Sequence, residues 1–267
     1  MRQAEWIWQT PRVGYLAFSE ATDRPNLGYV CGKRQAIMID AGNSPRHVWE
    51  YRQNLQKLAA IPPAYAAITH WHWDHSFGMC AVHAKTIASQ ETAAVLDRVR
   101  RWAWTPEAMA ARLESGEEIP FCDEKIRLEY PNLSEIRVKR PDLAIAGEKV
   151  LDLGGLHCHL IPMDTPHSRD GTLALVPEEG ILFGGDADGE DFYDGGGTYD
   201  KRRLERFIAW LEETDFTWYI PGHWYACTKA EELDMLKQRY AALLRRCASK
   251  RGKKDADFGS WWNALFW

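Results

Sequence analysis

The sequence predicts an α/β fold, a four-layer αβ/βα sandwich in which two mixed β-sheets are flanked by helices. Three observations carry this. Residues 35–69 read strand, helix, strand, the order of a right-handed βαβ unit. Each half of the chain gives strands and then helices. Apolar runs end at His70, shortly before His167, at Asp186 and just before His223, which gathers metal-capable side chains in strand-end loops held by a rigid scaffold.

The elements follow in order. Residues 13–18, 26–31 and 35–40 read as successive strands, with Gly32-Lys33 as a hairpin turn between the last two. Ser44 followed by Pro45 signals a helix start, and Val48, Tyr51, Leu55 and Leu58 keep helical spacing to about Ala60. Pro62-Pro63 ends that helix, and residues 64–69 form the next strand. Residues 89–118 are helical in composition, with Ala93, Ala94, Val95, Val99 and Met109 as apolar positions, and the stretch to Pro131 carries no motif. Strands are expected at about 124–130, 143–151, 156–162, 172–176 and 181–184, with Glu178-Glu179-Gly180 turning between the last two. Residues 200–214 and 228–248 read as helices on either side of a strand at 216–220. Without repeat or linker, residues 1–267 are expected to form one domain, with 89–131 as a helical, cap-like insertion.

Composition narrows the function. The net charge is −5, so there is no basic footprint for nucleic acid. The N-terminal residues have no apolar signal region and no run reaches membrane-spanning length, so no membrane partner is expected and the protein reads as cytoplasmic. The six cysteines form no C-x-x-C pair, and in that compartment free, buried thiols are expected.

Residues 70–75 read His-Trp-His-Trp-Asp-His directly after the apolar run Ala66–Thr69. Three imidazoles and a carboxylate within six residues are hard to explain as a polar turn in a chain with 9 histidines among 267 residues. Neutral imidazole and carboxylate are donors that Zn²⁺ and Fe²⁺ accept. One loop cannot surround an ion, so further ligands must come from elsewhere, and His167, Asp186 and His223 stand ready at strand ends.

The chain resembles the metallo-β-lactamase superfamily. The resemblance runs through five ordered motifs: the strand Ala36–Gly42 with its Asp-x-Gly end, then His70–His75, His167, Asp186 and His223. It implies two adjacent divalent ions, zinc first, with iron or manganese as the other options. His70, His72 and His167 would hold one ion, and Asp74, His75 and His223 the other, with Asp186 bridging them. Asp40 would be the carboxylate that orients a ligating imidazole from behind. Two departures bear on the branch. Pro166 stands where a glycine commonly precedes the histidine, and Asp186 occupies a position where the commonest zinc β-lactamases carry cysteine. The carboxylate is more similar to the esterase, thioesterase, lactonase and phosphodiesterase branches, and His72 in place of glutamate counts against the di-iron flavoproteins.

The reading is therefore a metal-dependent hydrolase of a small-molecule ester, thioester or lactone, acting through a hydroxide shared by two ions. Asp74 is the candidate to take up the proton as the intermediate collapses. An iron-dependent persulfide dioxygenase with one ion is the alternative, and a non-catalytic sensor on the same scaffold the third reading. The 89–131 segment would cap the site, and Trp71, Trp73, Tyr193 and Trp224 are candidates for the substrate wall. For the tryptophans, packing beneath the metal loops is the plainer expectation. Residues 187–197, rich in glycine and acid, read as a solvated loop. His157 and His159 share one face of a strand and are not taken as ligands, and His47 and His83 read as ordinary core or surface residues. The apolar tail 261–267 should pack on the domain or on a second subunit as a homodimer contact.

Overall fold

The computed structural model describes residues 5–245. A first sheet holds seven strands in chain order: β1 (Trp6–Trp8), β2 (Val13–Leu16), β3 (Leu27–Cys31), β4 (Ala36–Ile39), β5 (Pro63–Ala67), β6 (Lys85–Ser89) and β7 (Leu143–Ile145). Pairing is antiparallel through β4 and parallel from β4 to β7. A second sheet is formed by β8 (Lys149–Asp152), β9 (His157–Met163), β10 (Gly171–Val176), β11 (Ile181–Gly185), β12 (Trp218–Pro221) and β13 (Cys227–Thr228). There β11 and β12 run parallel and the other neighbours antiparallel.

Strand alternation makes the layers. Ile37 and Ile39 point inward with Val13, Val30 and Ile87, where they meet Leu160, Val176, Ile181 and Phe183 of the opposite sheet in one buried cluster. Met38 and Ala36, one residue out of phase, face outward onto Tyr51 and Leu55 of helix α1 (Pro45–Lys57). On the other side Leu182 and Tyr219 pack on Leu204, Phe207 and Leu211 of a helix spanning Lys201–Glu213, and on Leu236 of a last helix over 229–245. The result is the expected four-layer αβ/βα sandwich with mixed sheets.

The start of α1 is as the sequence implies. The Ser44 hydroxyl accepts from the His47 amide, and Pro45 fills a position where its missing N–H costs nothing. A short α2 (Trp73–Ser76) lies inside the hexapeptide. The 89–131 stretch is three short helices: α3 (Gln90–Val99), α4 (Pro106–Ser115) and α5 (Pro120–Glu129). Proline is excluded from helix interiors and suits first turns, so Pro106 and Pro120 each start a new helix. The strand expected at 124–130 is therefore wrong. Ile126, Leu128 and Tyr130 alternate like a strand, yet Cys122, Ile126 and Tyr130 are the buried set, a spacing of four, and Asp123 pairs with Arg127 one turn on. The single strand expected at 143–151 is two, β7 and β8, in different sheets. The short strands β1, β6 and β13 lay below what the pattern reveals. The helices at 201–213 and 229–245 are α6 and α7.

Among the described residues no helix is long and apolar enough to cross a membrane. The five described cysteines are free, but only Cys122 and Cys158 are buried, and Cys80 is exposed. Cys247 and the apolar tail 261–267 lie outside the described residues, as does any contact of that tail.

Candidate metal centre

Five loops meet at one edge of the sandwich. They leave β4 at Asp40, β5 at Thr69, β9 before His167, β11 at Asp186 and β12 before His223. Every predicted ligand arrives there. His70, His72 and His167 form one group and Asp74, His75, Asp186 and His223 a second, the donor atoms of each lying within 4.8 Å of one another.

Within the first group His72 Nδ1 and His167 Nε2 converge at 2.9 Å. In the second, Asp74 Oδ2 is 3.0 Å from both His75 Nε2 and His223 Nε2. Asp186 stands between the groups. One oxygen is 3.7 Å from His167 Nε2 and 3.5 Å from His223 Nε2, and the other is 3.3 Å from His75 Nε2.

Hydrogen bonds behind the rings turn their free nitrogens inward. His75 Nδ1 donates to Asp40 Oδ2 at 2.8 Å. Asp40 also accepts from the Thr69 amide at 2.8 Å and from its hydroxyl at 2.9 Å. Because that hydroxyl donates to a carboxylate, it accepts from His70 Nδ1 at 3.1 Å. His167 Nδ1 donates to the Glu190 carbonyl at 2.7 Å. In all three histidines Nε2 is turned toward the centre, the arrangement that fixes ring orientation in metal-ligating imidazoles. Asp40 thus sits where the sequence placed it, with a backbone φ of 62°.

Several supporting residues were not foreseen. Thr69 is one. Asp170 is another: it accepts from the Trp71 amide at 2.9 Å, the Thr92 hydroxyl at 2.8 Å and the Ser168 hydroxyl, tying the hexapeptide to α3 and to the His167 loop. Asn26 donates to the Pro221 and Trp224 carbonyls, each at 2.7 Å, and so fixes the His223 loop. Asp23 lies 3.7 Å from His223 Nδ1. Their signals are single polar residues at strand ends, indistinguishable in sequence from turn residues.

Glycine is required at the closest approach. A Cβ on Gly222 would lie 2.0 Å from Asp186 Oδ1 and 3.0 Å from His75 Cε1. Gly222→Ala is therefore expected to displace Asp186 and weaken metal retention at least about 10–100-fold, the range for losing a ligand's supporting contact. Circular dichroism should be unchanged, and a dialysis metal titration reads the loss.

The electrostatics suit cations. Burial holds His70 well below the usual imidazole range and brings His72 down to about 3, so both stay neutral, the ligating form. Burial opposes a charge on His75 and His223, yet neighbouring carboxylates overcome it. Asp74, Asp186 and Asp40 raise His75, and Asp186 with Asp74 brings His223 to about 9. The second group thus attracts positive charge. His70 Nε2 is buried without a hydrogen-bond partner, which is costly for a polar atom. Three imidazoles, and two imidazoles with two carboxylates, fit a divalent cation at each group.

A family model described as the metallo-beta-lactamase superfamily matches residues 22–223. The chain belongs to the metallo-beta-lactamase superfamily. It is 28% identical to the acyl-coenzyme A thioesterase MBLAC2 of Bos taurus over 252 residues, covering 86% of this chain and 83% of that protein. It is 27% identical to the Gallus gallus protein of the same name over 225 residues, covering 81% and 70%. A metallo-beta-lactamase from Pontibacter korlensis superposes with a TM-score of 0.61 at 18% identity, covering 89% of this chain and 99% of that one. At that identity the likeness speaks for the fold alone.

In this superfamily member a cleft of about 530 Å³ opens from the centre toward α7, lined by His167, Asp186 and His223 at one end and by Glu232, Met235 and Arg239 at the other. Of the four aromatic residues considered for the substrate wall, Trp224 lines it and is 61% exposed. Trp73 does not: it is buried with Phe77, Val99 and Met109, where its large apolar surface joins the hexapeptide to α3 and α4. Trp71 and Tyr193 pack on each other and on His72, with ring centroids 4.8 Å apart in each pair. No residue of 89–131 lines the cleft. That segment reaches the centre through Trp73 and through Glu118, which accepts from the Tyr193 hydroxyl at 2.8 Å. His157 and His159 pair instead with Glu178 and Glu148, and His47 is a buried core residue.

Proposed function

We propose that this chain is a metal-dependent hydrolase of small-molecule acyl thioesters or related esters, working with two divalent ions, zinc in the first place. The observation that carries the reading is Asp186 standing between two complete donor groups. His70, His72 and His167 would hold one ion and Asp74, His75 and His223 the other, with Asp186 shared. Ions held there would supply Lewis acidity for a carbonyl oxygen and bring the pKa of a water toward neutrality. Relatives named acyl-coenzyme A thioesterases support the thioester class.

The chain's own residues do the rest. Asp40, Thr69 and the Glu190 carbonyl fix the orientation of the imidazoles and aim them at the centre. Asp74, buried between His75 and His223, is positioned to accept a proton and pass it to a leaving group. Trp71 and Tyr193 close the His72 side, and the cleft admits substrate past Trp224. The 89–131 helices act as a brace behind that wall. Four donors converging in the second group favour two ions over the single iron of a persulfide dioxygenase.

A panel of thioester, lactone, phosphodiester and β-lactam substrates tests the class with metal-loaded protein. Thioester or lactone turnover is expected to exceed the others by at least an order of magnitude, as differential transition-state binding allows. Phosphodiester turnover alone, or oxygen uptake with a persulfide, would overturn it.

A further inference from the structure

The cleft has two unlike ends. Its centre-side end holds the donor groups. Its α7 end is acidic: apart from Asp186, the walls carry Asp188, Glu190, Glu231 and Glu232 against one guanidinium, Arg239. Arg239 is already engaged, donating to the Asp188 carbonyl at 2.9 Å and to the Tyr199 hydroxyl at 2.5 Å. Glu231 is engaged too, accepting from the Thr228 amide and hydroxyl ahead of α7.

Glu232 is different. It contributes to the cleft wall, yet is only 2% exposed. One carboxyl oxygen contacts the Cys227 thiol at 3.7 Å, and the other has no hydrogen-bond partner. A buried carboxyl oxygen left unpaired is unfavourable unless a ligand supplies a partner. Burial and the nearby Asp188 lift this carboxyl to about 8 against the opposing pull of Arg239, so at neutral pH it holds its proton until a cation beside it favours the anion. Cys227, Pro221 and Met235 line the way, and Phe192 and Trp224, 48% and 61% exposed, flank it with aromatic faces that also favour cations.

We infer that the α7 end of the cleft is a subsite for a primary ammonium group carried on a short apolar arm, with Glu232 as its acceptor. An ammonium supplies the missing donor, neutralises a local excess of carboxylates and gains from the focused field of an acidic cleft. A polyanionic group would be repelled from this end. Resting on the hydrolytic reading, the consequence is that preferred substrates carry an amine distal to the scissile carbonyl.

Binding separates this inference from the hydrolytic one, because it needs no turnover. Calorimetry on the full chain at about pH 9, where Glu232 is ionised and a primary ammonium keeps its charge, would compare hexylammonium with hexanol, equal in length and differing in charge. The ammonium is expected to bind at least about 10-fold more tightly, the range of one charge-assisted hydrogen bond. Glu232→Gln, nearly isosteric, should erase the preference while metal content and thermal melt stay as before. Equal binding of the two probes, or a preference untouched by Glu232→Gln, would overturn the subsite. Should that variant fail to fold, hydrogen exchange on the unsubstituted chain decides. Hexylammonium, and not hexanol, should protect amides of 229–239, and protection only elsewhere would refute the assignment.

Discussion

Asp186→Ala is expected to strip one or both metal ions and to lower turnover by more than the roughly 10–100-fold that follows loss of an outer supporting contact. The reason is its position. Asp186 faces His167 of the first group and His75 and His223 of the second, so with an ion in each group it would neutralise charge between the two dications. Without it their repulsion would act unscreened in a buried site. His83→Ala is the control, since His83 lies off the centre and its ring contact is to Arg52 at 3.4 Å. Metal analysis and turnover should separate the two variants. Equal metal content and activity would refute the bridging role.

Asp40 should give the largest effect on stability. It accepts from the Thr69 amide, the Thr69 hydroxyl and His75 Nδ1, all buried. Asp40→Ala leaves three donors unpaired at about 1–3 kcal/mol each, a large fraction of the roughly 5–15 kcal/mol that holds a typical protein folded. A clear fall in unfolding free energy by denaturant titration is expected. Asp40→Asn should separate stability from ligation. Its carbonyl can still serve Thr69, and asparagine tolerates the positive φ at this position. Its amide would then donate toward His75 Nδ1, which moves the ring proton to Nε2 and removes the lone pair from the centre. The expected variant is folded yet weak in second-group metal. A folded Asp40→Asn protein with full metal content would contradict the orienting role.

Much of this was legible because strand-end chemistry is written locally. His70–His75 form one short run, and His167, Asp186 and His223 each follow an apolar strand, so sequence order places all seven donors at one edge. The α1 boundary was legible for a similar reason, since a serine cap before proline is a local signal. What stayed hidden depends on partners far along the chain. Thr69 and Asp170 matter through bonds to Asp40 and to Trp71 and Thr92, which no spacing reports. Helix α5 was misread because Ile126, Leu128 and Tyr130 fit a period of two while burial against α4 and Trp73 selects a period of four. Trp73 follows the plainer of its two expectations: it stands between two candidate ligands in sequence, and its side chain packs in the core.

The central claim is that two ions share Asp186. An element-specific anomalous-diffraction map of the purified protein tests it most directly. The prediction is two zinc peaks, one ringed by His70, His72 and His167, the other by Asp74, His75 and His223, with Asp186 reaching both. A single iron peak, or metal bound away from these residues while both groups stay empty, would contradict it.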